Sequence, residues 1–277
     1  MLKKYLILPL FAFVMVALGS TACGELAKIK SSSDASLKYD YAKKMYNLGK
    51  YKKASELLET VLPYYEGTRE GSRVLYMLAY SEYERKDYTT ASDLFIRYYT
   101  SYPDGDEAES ARFFAGKSLF KSMPDARLDQ TTTYAAIQEL QLFNEMYPQS
   151  KRRKEISEML FALQDNLAKK QLLTAQLYYD LGMYLGNNYK ACIITADNAL
   201  KNFPYNNFRE DFYILLLRAA YKEAINSVEG KMQTRYRDVV DRYFIYTNEF
   251  PNGKYIKEAS RIYENVKKHI SDDEQAA

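Results

Sequence analysis

Apolar positions recur at helical spacing in successive blocks along the chain, and four blocks stop at an aromatic–proline pair: Tyr102-Pro103, Tyr147-Pro148, Phe203-Pro204 and Phe250-Pro251. Proline ends a helix and pre-sets the following turn. Polar residues follow each pair, and Asp104 to Glu107 and Asn207 to Glu210 have the spacing of capping boxes that would open the next helix. The pairs lie roughly 45–56 residues apart, long enough for one helical hairpin per interval. This predicts hairpins over 36–66, 70–102, 105–147, 151–203 and 206–250, with a last amphipathic helix over 253–270 covering the end and a tail over 271–277. Ser122 to Thr133, with Pro124, should interrupt the third hairpin as a long loop. Arg152 to Leu185 has no proline, and no glycine before Gly182, which predicts one overlong helix of roughly 30 residues, about 45 Å.

A second landmark repeats inside the blocks. Gly49-Lys50-Tyr51-Lys52-Lys53-Ala54 precedes Leu58 as Lys86-Asp87-Tyr88-Thr89-Thr90-Ala91 precedes Phe95. Ala136 with Leu140, and Cys192 with Ala196, repeat the spacing. These units resemble the tetratricopeptide repeat, in which a small residue lets two antiparallel helices approach and an aromatic residue fills the gap. One such hairpin cannot bury its apolar faces alone, so neighbours must stack. The expected fold class is therefore all-α: a tetratricopeptide-repeat solenoid of about five hairpins and a C-terminal capping helix. The composition agrees, with 28 Tyr, 13 Phe, 11 Gly, 7 Pro and no Trp.

The N-terminus changes which chain folds. Lys3 and Lys4 precede an apolar stretch over 5–18, too short to span a bilayer as a helix, and Gly19-Ser20-Thr21-Ala22-Cys23 follows. Residues 1–22 read as a signal peptide. Small residues before Cys23 resemble a bacterial lipobox, with Ser20 where that pattern usually has Leu, so Cys23 is the expected attachment point for a covalent lipid, palmitate among its acyl chains. Ser20-Thr21-Ala22 also fits ordinary signal cleavage, which cuts at the same place. Residues 23–35 would then be the lipidated cysteine and a polar tether, followed by N-terminal hairpins over 36–147 and C-terminal hairpins with the capping helix over 148–270. Cys192 reads as a small buried helix residue.

Chemistry is sparse. The formal net charge is +3 with mixed signs, which leaves no electrostatic footprint for nucleic acid. The single histidine, His269, stands near the end of the last helix, where positive charge is favourable. No catalytic residue, metal site or cofactor is expected, since no zinc-type cluster, triad or phosphate loop is present. The chain reads as a binding protein and not an enzyme. Its positive signal is aromatic: the first helices of the hairpins should line a peptide-binding groove with Tyr39, Lys43 and Tyr46, then Arg73, Tyr76, Tyr80 and Tyr83, then Phe113, Lys117 and Phe120. Tyrosine offers large contact area at low entropic cost. About half of these residues are expected to be core instead.

The order of signal, hairpins, mid-chain Asp-Gln loop and long helix resembles the BamD family, tetratricopeptide-repeat lipoproteins of the outer-membrane protein assembly (BAM) complex. The most specific segments are Arg127-Leu128-Asp129-Gln130-Thr131-Thr132-Thr133-Tyr134-Ala135-Ala136-Ile137, running on to Tyr147-Pro148-Gln149-Ser150, and Leu167-Ala168-Lys169-Lys170-Gln171-Leu172-Leu173-Thr174-Ala175-Gln176-Leu177-Tyr178-Tyr179. The Asn187-Asn188 insertion and the extra helix after Pro251 depart from that pattern. The resemblance implies a lipid-anchored outer-membrane protein facing the periplasm. Its N-terminal hairpins would bind unfolded outer-membrane proteins, and its C-terminal hairpins the periplasmic domains of a BamA-like barrel subunit. The alternative is another periplasmic tetratricopeptide scaffold lipoprotein, organising cell-wall synthesis or lipoprotein traffic.

Overall fold

The computed structural model describes residues 26–270, and those residues are helical with no strand among them. Cys23, the signal segment 1–22 and the tail 271–277 lie outside the described residues. A helical turn over 26–31 precedes eleven helices: α1 Ala35–Asn47, α2 Tyr51–Tyr65, α3 Arg69–Glu84, α4 Tyr88–Ser101, α5 Ala108–Lys121, α6 Thr131–Met146, α7 Arg153–Leu181, α8 Asn188–Asn202, α9 Arg209–Ile225, α10 Glu229–Glu249 and α11 Ile256–Lys267. Two compact units result. The first runs to Ser122 and includes Ala135–Ser150; the second holds Met123–Tyr134 and the chain from Lys151. Within each unit, successive helices pack on one another, the tetratricopeptide-like arrangement the repeat predicts.

The repeat landmarks explain that packing. Ala54, Ala91, Ala136 and Cys192 have no exposed surface, nor do Leu58, Phe95, Leu140 and Ala196, one helical turn further on. A small side chain brings two helices close, and the larger residue fills the space beside it; a buried Leu or Phe contributes about 1.5–3 kcal/mol. Burial also pushes the Cys192 thiol up to about 12, which keeps it protonated and inert. Several helix starts carry the expected caps: Asp34 accepts from Leu37 N, Thr68 from Gly71 N, Asp87 from Thr90 N and Asn187 from Lys190 N. The turn after α1 uses Gly49 at φ +68°, and Lys86 holds the equivalent left-handed position after α3 at φ +67° without being glycine.

The structure differs from the sequence at three places. The segment expected to be a polar tether forms the turn over 26–31, where Leu26 and Ile29 pack on the first unit's core and Lys30 pairs with Glu56. Leu26 and Ile29, three residues apart, share one face of the turn, so both reach the core together. The long helix is 29 residues and stops at Leu181, because Gly182 turns the chain at φ +57°.

Neither predicted capping box forms. Helices α5 and α9 begin at Ala108 and Arg209 with no side-chain cap at the residue before. Tyr98 from α4 instead accepts from Glu107 N at 3.3 Å, and Tyr246 from α10 accepts from Tyr255 N at 3.1 Å while donating to Glu210 Oε1 at 2.8 Å. In α4 and α10, a buried tyrosine thus satisfies an amide at the start of the next helix. Ahead of α9, Asn206 does this locally, donating to Phe203 O and accepting from Phe208 N.

Candidate functional site

The first unit holds a cleft of about 630 Å³ built from three helices and one turn. Helix α1 contributes Lys43 and Tyr46, α3 contributes Arg69, Glu70, Arg73 and Tyr76, and α4 contributes Tyr98, while Asp106 and Glu107 come from the turn before α5. Helical spacing sets this wall: Arg69, Arg73 and Tyr76 follow one another at i, i+4 and i+7 along one face of α3.

An aromatic ladder continues from the cleft along α3. Tyr76 and Tyr80 lie nearly parallel, 6.4 Å apart, and Tyr80 meets Tyr46 at 6.0 Å, Tyr83 at 6.1 Å and Phe114 at 5.3 Å. Phe114 closes on Tyr83 at 5.0 Å. These are offset and edge-to-face contacts, which hold the rings rigidly while leaving part of each face open. Burial, together with neighbouring Tyr76, Tyr80 and Tyr51, raises the Tyr46 hydroxyl well above its ordinary value; burial and the Glu84 hydrogen bond push Tyr80 up to about 12. Both hydroxyls therefore stay protonated; Tyr80 gives its proton to Glu84 and keeps its oxygen as an acceptor for a peptide backbone.

Of the groove residues expected from sequence, Lys43, Tyr46, Arg73 and Tyr76 meet in the cleft, and Tyr80 and Tyr83 extend it. Two are corrected to core. Tyr39 is buried against Tyr65 at 5.2 Å, and Phe113 is buried against Phe143 at 6.1 Å. Lys117 lies over Phe113 and Phe114, 5.3 and 5.8 Å from the ring centres, and Phe120 is half-buried outside the cleft. The α5 phase was off by one residue, so Phe114 takes the place expected of Phe113. The buried stripe Ala108, Ala111, Ala115 and Ser118 marks the true inner face.

The sequence also missed Arg69, Glu70, Tyr98, Asp106 and Glu107 as cleft residues, because they follow from how α3, α4 and the α5 turn converge. Lys43 is occupied: it pairs with Asp40 at 2.8 Å and sits 4.5 Å over the Tyr39 ring. Arg69 and Arg73 pair with no carboxylate among the described residues, and both are exposed, leaving them to supply positive charge to a ligand.

Residues 31–223 match the family model YfiO, described as an outer membrane lipoprotein. A curated relative, the putative outer membrane protein assembly factor BamD of Aquifex aeolicus (strain VF5), is 30% identical over 129 residues. That match spans 46% of this chain and 42% of the relative. The cleft lies inside the family match, whereas α10 and α11 lie beyond it.

Proposed function

Because the chain belongs to the YfiO family of outer membrane lipoproteins, we propose that it serves outer-membrane protein assembly as a non-catalytic binding subunit. In this reading, a lipid on Cys23 anchors it to the outer membrane facing the periplasm, which raises the effective concentration of membrane partners. The first unit receives an extended segment of an unfolded barrel protein, its C-terminal strand ending in an aromatic residue. The second unit docks on the periplasmic domains of a BamA-like barrel subunit.

The observation that carries the reading is the meeting of Arg69 and Arg73 with Tyr46 and Tyr76 in one cleft, from which the ladder runs on through Tyr80. A guanidinium forks onto a terminal carboxylate, and the ladder offers faces on which aromatic side chains stack. The name of the Aquifex relative, an assembly factor, supports the same role.

Two measurements test it. A peptide ending in a free aromatic carboxylate should bind the chain about tenfold more tightly than its C-terminal amide, as expected for a charge-assisted pair. The variant carrying Arg69→Gln and Arg73→Gln should lose that preference; equal binding of both peptides by the unsubstituted chain would refute the cleft's role. Separately, detergent-solubilised protein should co-purify with a BamA-like barrel, and its absence from the eluate would sink the assembly role.

A further inference from the structure

The second unit has a cleft of its own, about 210 Å³, between Tyr179 on α7, Arg218 and Lys222 on α9, and Glu258, Arg261 and Asn265 on α11. Its electrostatics are one-sided. Arg218 forks onto Glu258, Nε to Oε1 and Nη2 to Oε2, both at 2.7 Å, so the cleft's one carboxylate is already engaged. Accordingly, Arg218 holds the Glu258 carboxyl below its ordinary value. Lys222 and Arg261 pair with no carboxylate among the described residues, leaving two positive charges facing one concave space.

The repeat register gives the position meaning. Counted from Pro204, Arg218 holds the place that Lys117 holds counted from Pro103, on the first helix after the proline. The opposite wall comes from α11, which lies beyond the residues that match the family. The cleft therefore depends on a helix outside the matched residues.

We infer that this cleft is a second binding site, taking an acidic extended segment of a partner protein. Lys222 and Arg261, which make no direct ion pair among the described residues, face the segment's carboxylates, Asn265 has both a donor and an acceptor for its backbone, and Tyr179 supplies a flat contact wall. A bilayer surface is the wrong shape for a recess among three helices, so the occupant is a chain and not lipid headgroups. The inference stands on the second unit alone and does not rest on the role proposed for the first.

The test is fluorescence anisotropy with the full chain and a labelled peptide of alternating Glu and Tyr. Acetylated and amidated ends keep it from offering a terminal carboxylate to the cleft of the first unit. Binding should be saturable, should weaken with salt, and should fall about tenfold or more with Lys222→Glu plus Arg261→Glu. Lys201→Glu, an exposed cation on α8, should leave it unchanged. The milder pair Lys222→Gln plus Arg261→Gln repeats the test should the charge reversal perturb folding. Overturning results are no saturable binding, undiminished binding by both double variants, or equal binding of the Lys and Tyr counterpart. Capture of the chain by anionic phosphatidylglycerol vesicles through Lys222 and Arg261, with no peptide binding, would also overturn it.

Discussion

Asn166 donates its side-chain amide to Gln130 Oε1 at 2.8 Å, and that bond fastens the loop ahead of α6 to the long helix α7. Gln130 is buried and fully used: Oε1 also accepts from Thr133 Oγ1 at 2.7 Å, and Nε2 donates to the carbonyls of Asp125 and Leu128. Asn166 reaches Pro124 O as well, and Lys170 reaches Leu128 O. The loop is long but not loose, because its inward carbonyls find donors from α7 or from Gln130.

Gln130→Ala should therefore cost more than its size suggests. It removes four hydrogen bonds at once and takes from the buried Thr133 hydroxyl its acceptor, and a buried group left without a partner costs about 1–3 kcal/mol. A urea titration should show a lower midpoint with the slope unchanged, and amide exchange over residues 125–130 should accelerate. An unchanged midpoint would mean that water replaces Gln130 without penalty.

Gly253 is required by contact. A Cβ there would lie 2.5 Å from Glu210 Oε1 and 2.6 Å from the Tyr246 hydroxyl, the pair that holds the start of α11. Gly105 stands in the same relation to Tyr98, at 2.8 Å. Gly253→Ala should displace the tyrosine hydroxyl and lower stability by about 1–3 kcal/mol. Tyr246→Phe, which keeps the ring and loses both hydrogen bonds, should lower it by about 1–2 kcal/mol. Since both act on one contact, the double variant should be less destabilised than the sum of the singles; strict additivity would refute the shared contact.

The features legible in the sequence were those with a period. Pro103, Pro148, Pro204 and Pro251 mark hairpin ends, and Ala54, Ala91, Ala136 and Cys192 mark close helix crossings, because each acts through its own backbone or size. What depends on a second element was not legible. Asp104 and Glu107 have capping-box spacing, yet a tyrosine from the preceding helix reaches the amide of Glu107 instead. Helix phase in α5 was ambiguous because Phe113 and Phe114 are adjacent aromatics, and only packing against Phe143 decides which turns inward. Arg69, Asp106 and Glu107 belong to the cleft because of where α3 and the α5 turn meet, which no local pattern encodes.

The ladder tyrosines are contact surface and packing at once. Tyr76 meets Phe95 and Tyr98 edge-on, each at 5.7 Å, and Tyr80 touches Tyr46, Tyr51, Tyr83 and Phe114. Tyr76→Ala plus Tyr80→Ala should thus weaken peptide binding and also lower thermal stability, by about 3 kcal/mol or more in total. Arg69→Gln plus Arg73→Gln should weaken binding with the melting profile unchanged, since neither side chain holds a carboxylate. Comparing the two double variants by calorimetry and peptide titration separates packing from recognition. A melt unchanged by the tyrosine pair would show that the rings are not packed.

Acid should weaken the second unit through Glu258. Its carboxyl is lowered from the ordinary 4.5, first by the hydrogen bond from Arg218 and then by that residue's charge, with Arg261 adding to it, against the opposing cost of burial. A lowered folded value means that the unfolded chain takes up the proton more readily. The contribution is fully present above pH 4.5 and is lost as pH falls through the lowered folded value. Glu139 in the first unit has the opposite sign: burial raises it, more than Arg112 and Tyr99 lower it, so its ionisation opposes folding as pH rises. Glu258→Gln removes only the first effect. The difference in urea midpoint between neutral and acidic buffer should then be smaller in the variant than in the unsubstituted chain. An identical difference in both would mean that the Arg218–Glu258 fork carries no pH-dependent stability.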